Sequence, residues 1–176
     1  MPTTALRTAL SALGLAALIA LPASASAPEP VKPLDLNRFM GRWYEILRTP
    51  NDRQKNCFAA YQVWSKKGPG RFAIAQHCHK GSRTGPDDTV QTDARLLNHP
   101  SNAKFEASFF AGLIRKDYWV IDHADDYSWM IATSADGKFP AVLARSPGLP
   151  AAKQAELKRR MAQLGLPTSK LQPVGA

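Results

Sequence analysis

Only two cysteines occur in 176 residues, and they form no Cys-x-x-Cys pair, which excludes thiol redox catalysis and a cysteine-built metal centre. The chain also lacks a Gly-x-Ser-x-Gly elbow, a phosphate-cradling glycine loop and a His–Cys nucleophile pair, so no residue is assigned as catalytic. Histidine is scarce: among His77, His79, His99 and His123, only His77-x-His79 has ligand-like spacing, and no third donor accompanies it. No metal and no cofactor is expected. Internal repeats and low-complexity blocks are missing, as is the alternation of helix and strand that builds a parallel sheet. Acidic residues are few as well, 14 against 23 lysines and arginines.

What the chain does have begins with an export signal. Arg7 supplies a thin positive start, Ala9 to Leu21 is an apolar stretch too short and alanine-rich to span a ~30 Å bilayer core well, and Ala23-Ser24-Ala25 is a small-x-small cleavage site. Residues 1–25 therefore read as a signal peptide and 26–33, rich in proline, as a disordered linker. Residues 34–173 form one domain, long enough to bury a core. No cysteine stands directly after the cleavage site, so the product is expected to be soluble in the periplasm or outside the cell rather than lipid-anchored. Removing Arg7 leaves a mature balance of +8. That basic charge is scattered, and export removes nucleic acid as a partner.

Short strands dominate the remainder. Candidates lie near Trp43–Arg48, Cys57–Lys66, Arg71–His79, Thr89–Leu97, Lys104–Phe110, Tyr118–His123, Tyr127–Ser134 and Ala141–Arg145, bounded by glycine, proline, asparagine or aspartate. One helix follows Pro150, with Leu157, Met161 and Leu164 at helical spacing and Gly165 as its stop. A short edge strand is expected near Lys170–Val174. The fold class is all-β, an antiparallel sandwich or barrel.

Three signatures sharpen this. Asp35-Leu36-Asn37-Arg38-Phe39-Met40-Gly41-Arg42-Trp43-Tyr44-Glu45-Ile46 stands at the start, Asp125-Asp126-Tyr127 with Trp129 in the middle, and Leu143-Ala144-Arg145-Ser146-Pro147 near the end. If the sheet closes, Trp43 and Arg145 become neighbours, and a guanidinium on an indole face contributes about 0.5–2 kcal/mol. In this order and spacing the chain, from Leu34 to Pro173, resembles the lipocalin family in its bacterial and apolipoprotein D-like branch. It departs from that pattern in a second motif one residue tighter and in Phe139-Pro140-Ala141-Val142, where an aromatic run is usual. The resemblance implies an eight-stranded up-and-down barrel with a C-terminal helix outside. Gly41, Trp43, Asp126, Tyr127 and Arg145 are then structural, and a small hydrophobic or amphipathic ligand, fatty acid or lysophospholipid, is transported or stored in the cup. A few relatives are enzymes or carry haem, which makes an enzyme or haem/cofactor-binding protein on the same barrel the alternative reading.

Pairing Lys66 with Pro69 across the turn Lys67-Gly68-Pro69-Gly70 sets Trp64 against Arg71, Tyr61 against Ile74 and Cys57 against Cys78. A Cys57–Cys78 disulfide is therefore expected, stabilising by about 3 kcal/mol in the chain-entropy model. Counting strand directions puts all three signatures at the closed end and the segments Thr49–Asn56, Lys80–Asp88 and Ala111–Lys116 at the mouth. Arginine and lysine outnumber aspartate there, and Arg115 and Lys116 are expected to attract an anionic head group, with weak contact to an anionic membrane surface as a further consequence. Alternation makes Phe105, Ala107 and Phe109 one apolar face, taken as cavity-lining. Glu45 and Leu47 join it by parity with Trp43, and Tyr61 and Ile74 face each other across the hairpin as wall residues.

Overall fold

The computed structural model describes residues 26–97 and 100–174. The expected signal peptide, residues 1–25, and His99 lie outside the described residues. Eight strands close into a barrel: β1 (Gly41–Arg48), β2 (Cys57–Gly68), β3 (Arg71–Lys80), β4 (Asp87–Leu96), β5 (Lys104–Phe109), β6 (Ile114–His123), β7 (Trp129–Ser134) and β8 (Ala141–Ala144). Each pairs antiparallel with its sequence neighbour. Closure comes from β1, whose first half pairs with β2 and whose second half pairs with β8. A two-residue strand, β9 (Gln172–Pro173), adds to β1 at the edge. One four-residue helix, α1 (Leu36–Phe39), precedes β1 and was not legible as such; Asp35 caps it by accepting from Asn37 N–H and Arg38 N–H.

The second helix, α2 (Ala151–Gln163), lies against the outside of the barrel. Leu157 and Met161 are fully buried there among Ile46, Leu47, Ile121 and Ile131, a contribution of roughly 1.5–3 kcal/mol each. Gly165 ends it at φ +81°, while Leu166 N–H reaches back to Met161 O and Gly165 N–H to Ala162 O. The inner core is separate and aromatic: Phe39, Trp43, Trp64, Phe72 and Phe105 fill the barrel's closed half. Phe39 stacks on Phe105 at 5.7 Å and meets Trp64 edge-on at 4.9 Å.

Three expectations are corrected by the backbone. The hairpin between β2 and β3 turns on Pro69-Gly70 alone, with Gly68 opposite Arg71, so Trp64 faces Ile74 and Tyr61 faces His77. A two-residue loop set two residues further along moves every pair, and bulges between Lys66 and Gly68 and between Phe58 and Tyr61 then shift the register again. Cys57 ends opposite Lys80 rather than Cys78. An offset of two keeps both sulfurs on one face of the ladder, and the Cys57–Cys78 disulfide forms with Cα atoms 5.4 Å apart.

Residues 26–33 are not a loose linker. Ala27 is buried and donates to Ala135 O at 2.8 Å, Val31 N–H to Ile121 O at 2.9 Å, and Lys32 Nζ reaches Asp125 at 2.7 Å. The prolines that suggested disorder instead lie in an extended strap whose Ala27 and Val31 N–H groups bond the barrel. Finally, β6 starts at Ile114, four residues ahead of the expected Tyr118. Pairing with β5 overrides the turn-like charge run Arg115-Lys116-Asp117, and only Phe110–Leu113 remains as the connection.

Candidate functional site

The three signatures meet at one end of the barrel. Gly41 opens β1 at φ +96°, a backbone that side chains with a Cβ rarely adopt. Two residues on, the fully buried Trp43 donates its indole N–H to Phe39 O at 2.8 Å. Arg145, just past β8, lays its guanidinium on that indole, 3.7 Å from the ring centre. Its Nη1 donates to Arg42 O at 2.8 Å and its Nη2 to Arg38 O at 2.6 Å and Phe39 O at 3.1 Å. Burial pulls the guanidinium's pKa down from its ordinary value, yet four contacts with electron-rich groups hold the cation in place. Tyr127 completes the floor: its hydroxyl accepts from Asp35 N–H at 2.6 Å and its ring stacks on His123 at 4.5 Å. Asp126 accepts from Ser128 N–H at 2.9 Å, shaping the turn between β6 and β7.

Above this floor a cavity of about 530 Å³ opens at the opposite end, within the size range of small-molecule sites. Trp64, Phe105, Met130 and Leu143 line its depth, with Ile74, Ala107, Val120 and Ala132 around the middle. Arg53, Lys116, Tyr118 and Phe139 stand at the rim. Burial raises the Tyr118 phenol pKa, so it stays protonated and able to donate.

One wall of the cavity is polar. Glu45 pairs with Arg48 Nη1 at 2.8 Å and accepts from Gln54 Nε2 at 3.0 Å and, weakly, from Gln62 Nε2 at 3.5 Å. Arg48 Nη2 in turn donates to Gln54 O and Cys57 O, both at 3.1 Å. An acid in an apolar cup requires such partners. Here the ion pair fastens the 3₁₀ turn Asp52–Gln54 over one side of the mouth.

Of the residues expected in the site, Glu45, Ile74, Phe105, Ala107, Phe109 and Lys116 line the cavity. Leu47, Tyr61 and Arg115 do not. A bulge between Glu45 and Leu47 reverses the phase of β1, sending Leu47 outward under α2 and turning Arg48 inward. The bulge beside Ala59, which sits at φ +47°, does the same to β2. Cys57, Ala60, Gln62 and Trp64 therefore share the inner face, while Tyr61 stacks on His77 at 4.6 Å outside, under Arg42 at 4.5 Å. Arg115, being on a strand, alternates with Lys116 and faces outward toward Glu106 at 3.7 Å. Arg48, Gln54 and Tyr118 were missed. Glu45 and Arg48 would lie on opposite faces of a regular strand, so periodicity holds no trace of their pairing. Among the described residues no group of three histidine, cysteine, aspartate or glutamate side chains is placed to hold a metal.

A family model for the lipocalin-like domain matches residues 34–176. Apolipoprotein D of Mus musculus is 27% identical over 153 residues, covering 78% of this chain and 74% of the relative. That of Cavia porcellus is 35% identical over 97 residues, 53% of this chain, and the aligned part spans about half of the relative's length, 47%. Among solved structures, insecticyanin from the tobacco hornworm Manduca sexta superposes with a TM-score of 0.70 at 16% identity, covering 89% of this chain and 88% of that one. At that identity the likeness concerns the fold alone, but the family model spans the whole barrel together with the tryptophan, tyrosine and arginine that close its floor. The chain belongs to the lipocalin family.

Proposed function

We propose that this protein binds one small amphipathic molecule, a fatty acid or lysophospholipid, with its chain in the cup and its anionic head at the rim, and carries or stores it outside the cytoplasm. The observation that supports this reading is the cavity itself, aromatic and aliphatic in its depth and charged at its mouth, where Arg53 and Lys116 stand among Asp52, Asp117 and Asp136. Each methylene moved from water into that depth contributes about 0.8 kcal/mol. Lys116, Arg53 and the Tyr118 hydroxyl are the groups offered to a carboxylate or phosphate, through charge-assisted hydrogen bonds. Glu45 offers no repulsion to such a head, because Arg48 and Gln54 occupy its oxygens. The disulfide fits an oxidising compartment, in keeping with an exported protein.

Organic extraction of natively purified protein followed by lipid mass spectrometry names the ligand. Quenching of Trp64, which lines the cavity, then measures its rebinding. A stoichiometric acyl lipid that rebinds saturably is the expected result. An empty extract with no response to fatty acids or lysophospholipids overturns the reading. Charge reversal of Arg53 and Lys116 together is expected to weaken fatty-acid binding by about tenfold or more while leaving the matching fatty alcohol unaffected, since only the acid loses charged hydrogen bonds of ~1.5–3 kcal/mol each. Ala107→Trp, which fills the cup, is expected to abolish binding of both.

A further inference from the structure

The most exposed large apolar side chains of the described residues are Leu113, 87% exposed, and Phe110, 60% exposed. Both lie in the four-residue connection Phe110–Leu113 between β5 and β6, at the open end. The connection is held in an unusual shape: Phe110, Ala111 and Gly112 follow one another at φ +51°, +54° and +96°. Two consecutive non-glycine residues in the left-handed region cost energy, and such strain gathers where a segment has work beyond connecting strands. The flanking residues matter equally. Phe109 and Ile114 face each other across the ladder and line the cavity, so an apolar path runs from Leu113 and Phe110 at the tip into the cup. Phe139, 43% exposed, stands on the same rim. Around these apolar groups lie charges of both signs: Arg53, whose guanidinium lies 5.6 Å from the Phe110 ring centre, with Lys55, Lys116 and Lys138, and among them Asp52, Asp117 and Asp136, on a chain whose mature balance is +8.

We propose that the Phe110–Leu113 tip inserts into the surface of an anionic bilayer, and that ligand passes between bilayer and cavity during that contact rather than through free solution. The occupant follows from shape and charge. A convex tip of two side chains cannot cover the ~800 Å² per partner that a stable protein interface needs. A soft apolar medium has no such requirement, and an anionic surface is complementary to the net positive charge of the chain. The proposal rests on the lipid-binding reading above, and its tests are arranged to fail separately from it.

Vesicles of phosphatidylcholine with increasing phosphatidylglycerol, carrying an anthroyloxy fatty acid, are mixed with the protein, and uptake is followed by energy transfer from tryptophan. Transfer during contact predicts a rate that rises with vesicle concentration and with phosphatidylglycerol content, and falls with added salt. The double variant Phe110→Ser/Leu113→Ser removes only exposed side chains outside the cavity. It is expected to keep its equilibrium affinity and to lose about tenfold or more in transfer rate, since each buried Phe or Leu is worth more than one factor of ten. A wild-type rate indifferent to vesicle concentration and composition, or an unchanged variant, overturns the proposal. If neither protein binds the fatty acid in solution, the lipid-binding reading fails. Docking is then decided by flotation of ligand-free protein with phosphatidylglycerol vesicles: co-flotation of the wild type and its loss in the variant uphold the inserted tip, and absence of co-flotation rejects it.

Discussion

Arg145 joins three functions in one side chain, since it covers an indole, bonds three carbonyls that α1 and β1 leave open, and ends β8. Lysine could supply the charge but not the planar fork. Arg145→Ala is therefore expected to destabilise by about 2–4 kcal/mol in urea unfolding, the loss of a cation–π contact and of charged hydrogen bonds. Ligand affinity per folded molecule stays unchanged, because Trp64 and Phe105 stand between Arg145 and the open cavity. A variant of native stability that binds less ligand would contradict this structural role. The floor was legible in the sequence because its residues are carried by motifs with fixed local geometry. Arg48, by contrast, was hidden: its place in the cup depends on a bulge that no alternation pattern announces.

At the scale of elements, the strap and α2 are fastened to the same strand. Asp122 of β6 is fully buried on the barrel's outer side, bonded by Arg160 Nε from α2, and Lys32 of the strap stands 4.0 Å away. Removing one partner of such a group costs more than removing both, since the survivor remains as an uncompensated buried charge. Arg160→Ala is expected to lower stability by roughly 2–3 kcal/mol, less than a fully buried pair because Arg160 is partly exposed and Lys32 remains. Arg160→Ala with Asp122→Asn should recover most of that loss, as a double-mutant cycle in urea would measure. Strand and helix content followed from turn residues and from the spacing of Leu157 and Met161. The strap did not, because proline marks both disordered linkers and rigid extended segments, and only the facing wall distinguishes them. The segment expected at the mouth, Ala111–Lys116, gives way to the shorter connection Phe110–Leu113, because strand pairing recruits Arg115 and Lys116, charged residues that look like a turn.

For the molecule as a whole, pH acts through several carboxylates of opposing sign. Hydrogen bonding from Lys32 holds Asp125 below the usual carboxylate range, and hydrogen bonds from Ser128 do the same for Asp126. Arg95 lowers Glu106 likewise. Groups with depressed pKa stabilise the fold above their unfolded value, near pH 4, and that stability is lost as pH falls through the folded values. Asp117 runs the other way: burial first, then neighbouring Glu106, raises its pKa, so its ionisation disfavours the fold and protonation relieves it. Against the effect of its burial, hydrogen bonds from Ser134 and Lys138 lower Asp136 as well, and four lowered groups against one raised predict net loss of stability below about pH 4. In acid-titration melts, Asp126→Asn should make that loss shallower, and Asp117→Asn should raise Tm at neutral pH; a steeper acid limb in the first or a lower Tm in the second would refute the assignment.

The bulges in β1 and β2 divide each strand into two reading frames, one serving the cup and the other the opposite face. In β1 the change falls between Glu45 and Leu47, where the inner frame passes from Trp43 and Glu45 to Arg48. Deleting Ile46 would therefore leave both frames in place: it closes the bulge, with Leu47 still outward opposite Val142 and Arg48 still turned in beside Glu45. The extra residue is a spare that such a barrel could lose in a single genetic step, with its polar wall and its floor both untouched, whereas straightening β1 at its present length would exchange Arg48 for Leu47 in the cup.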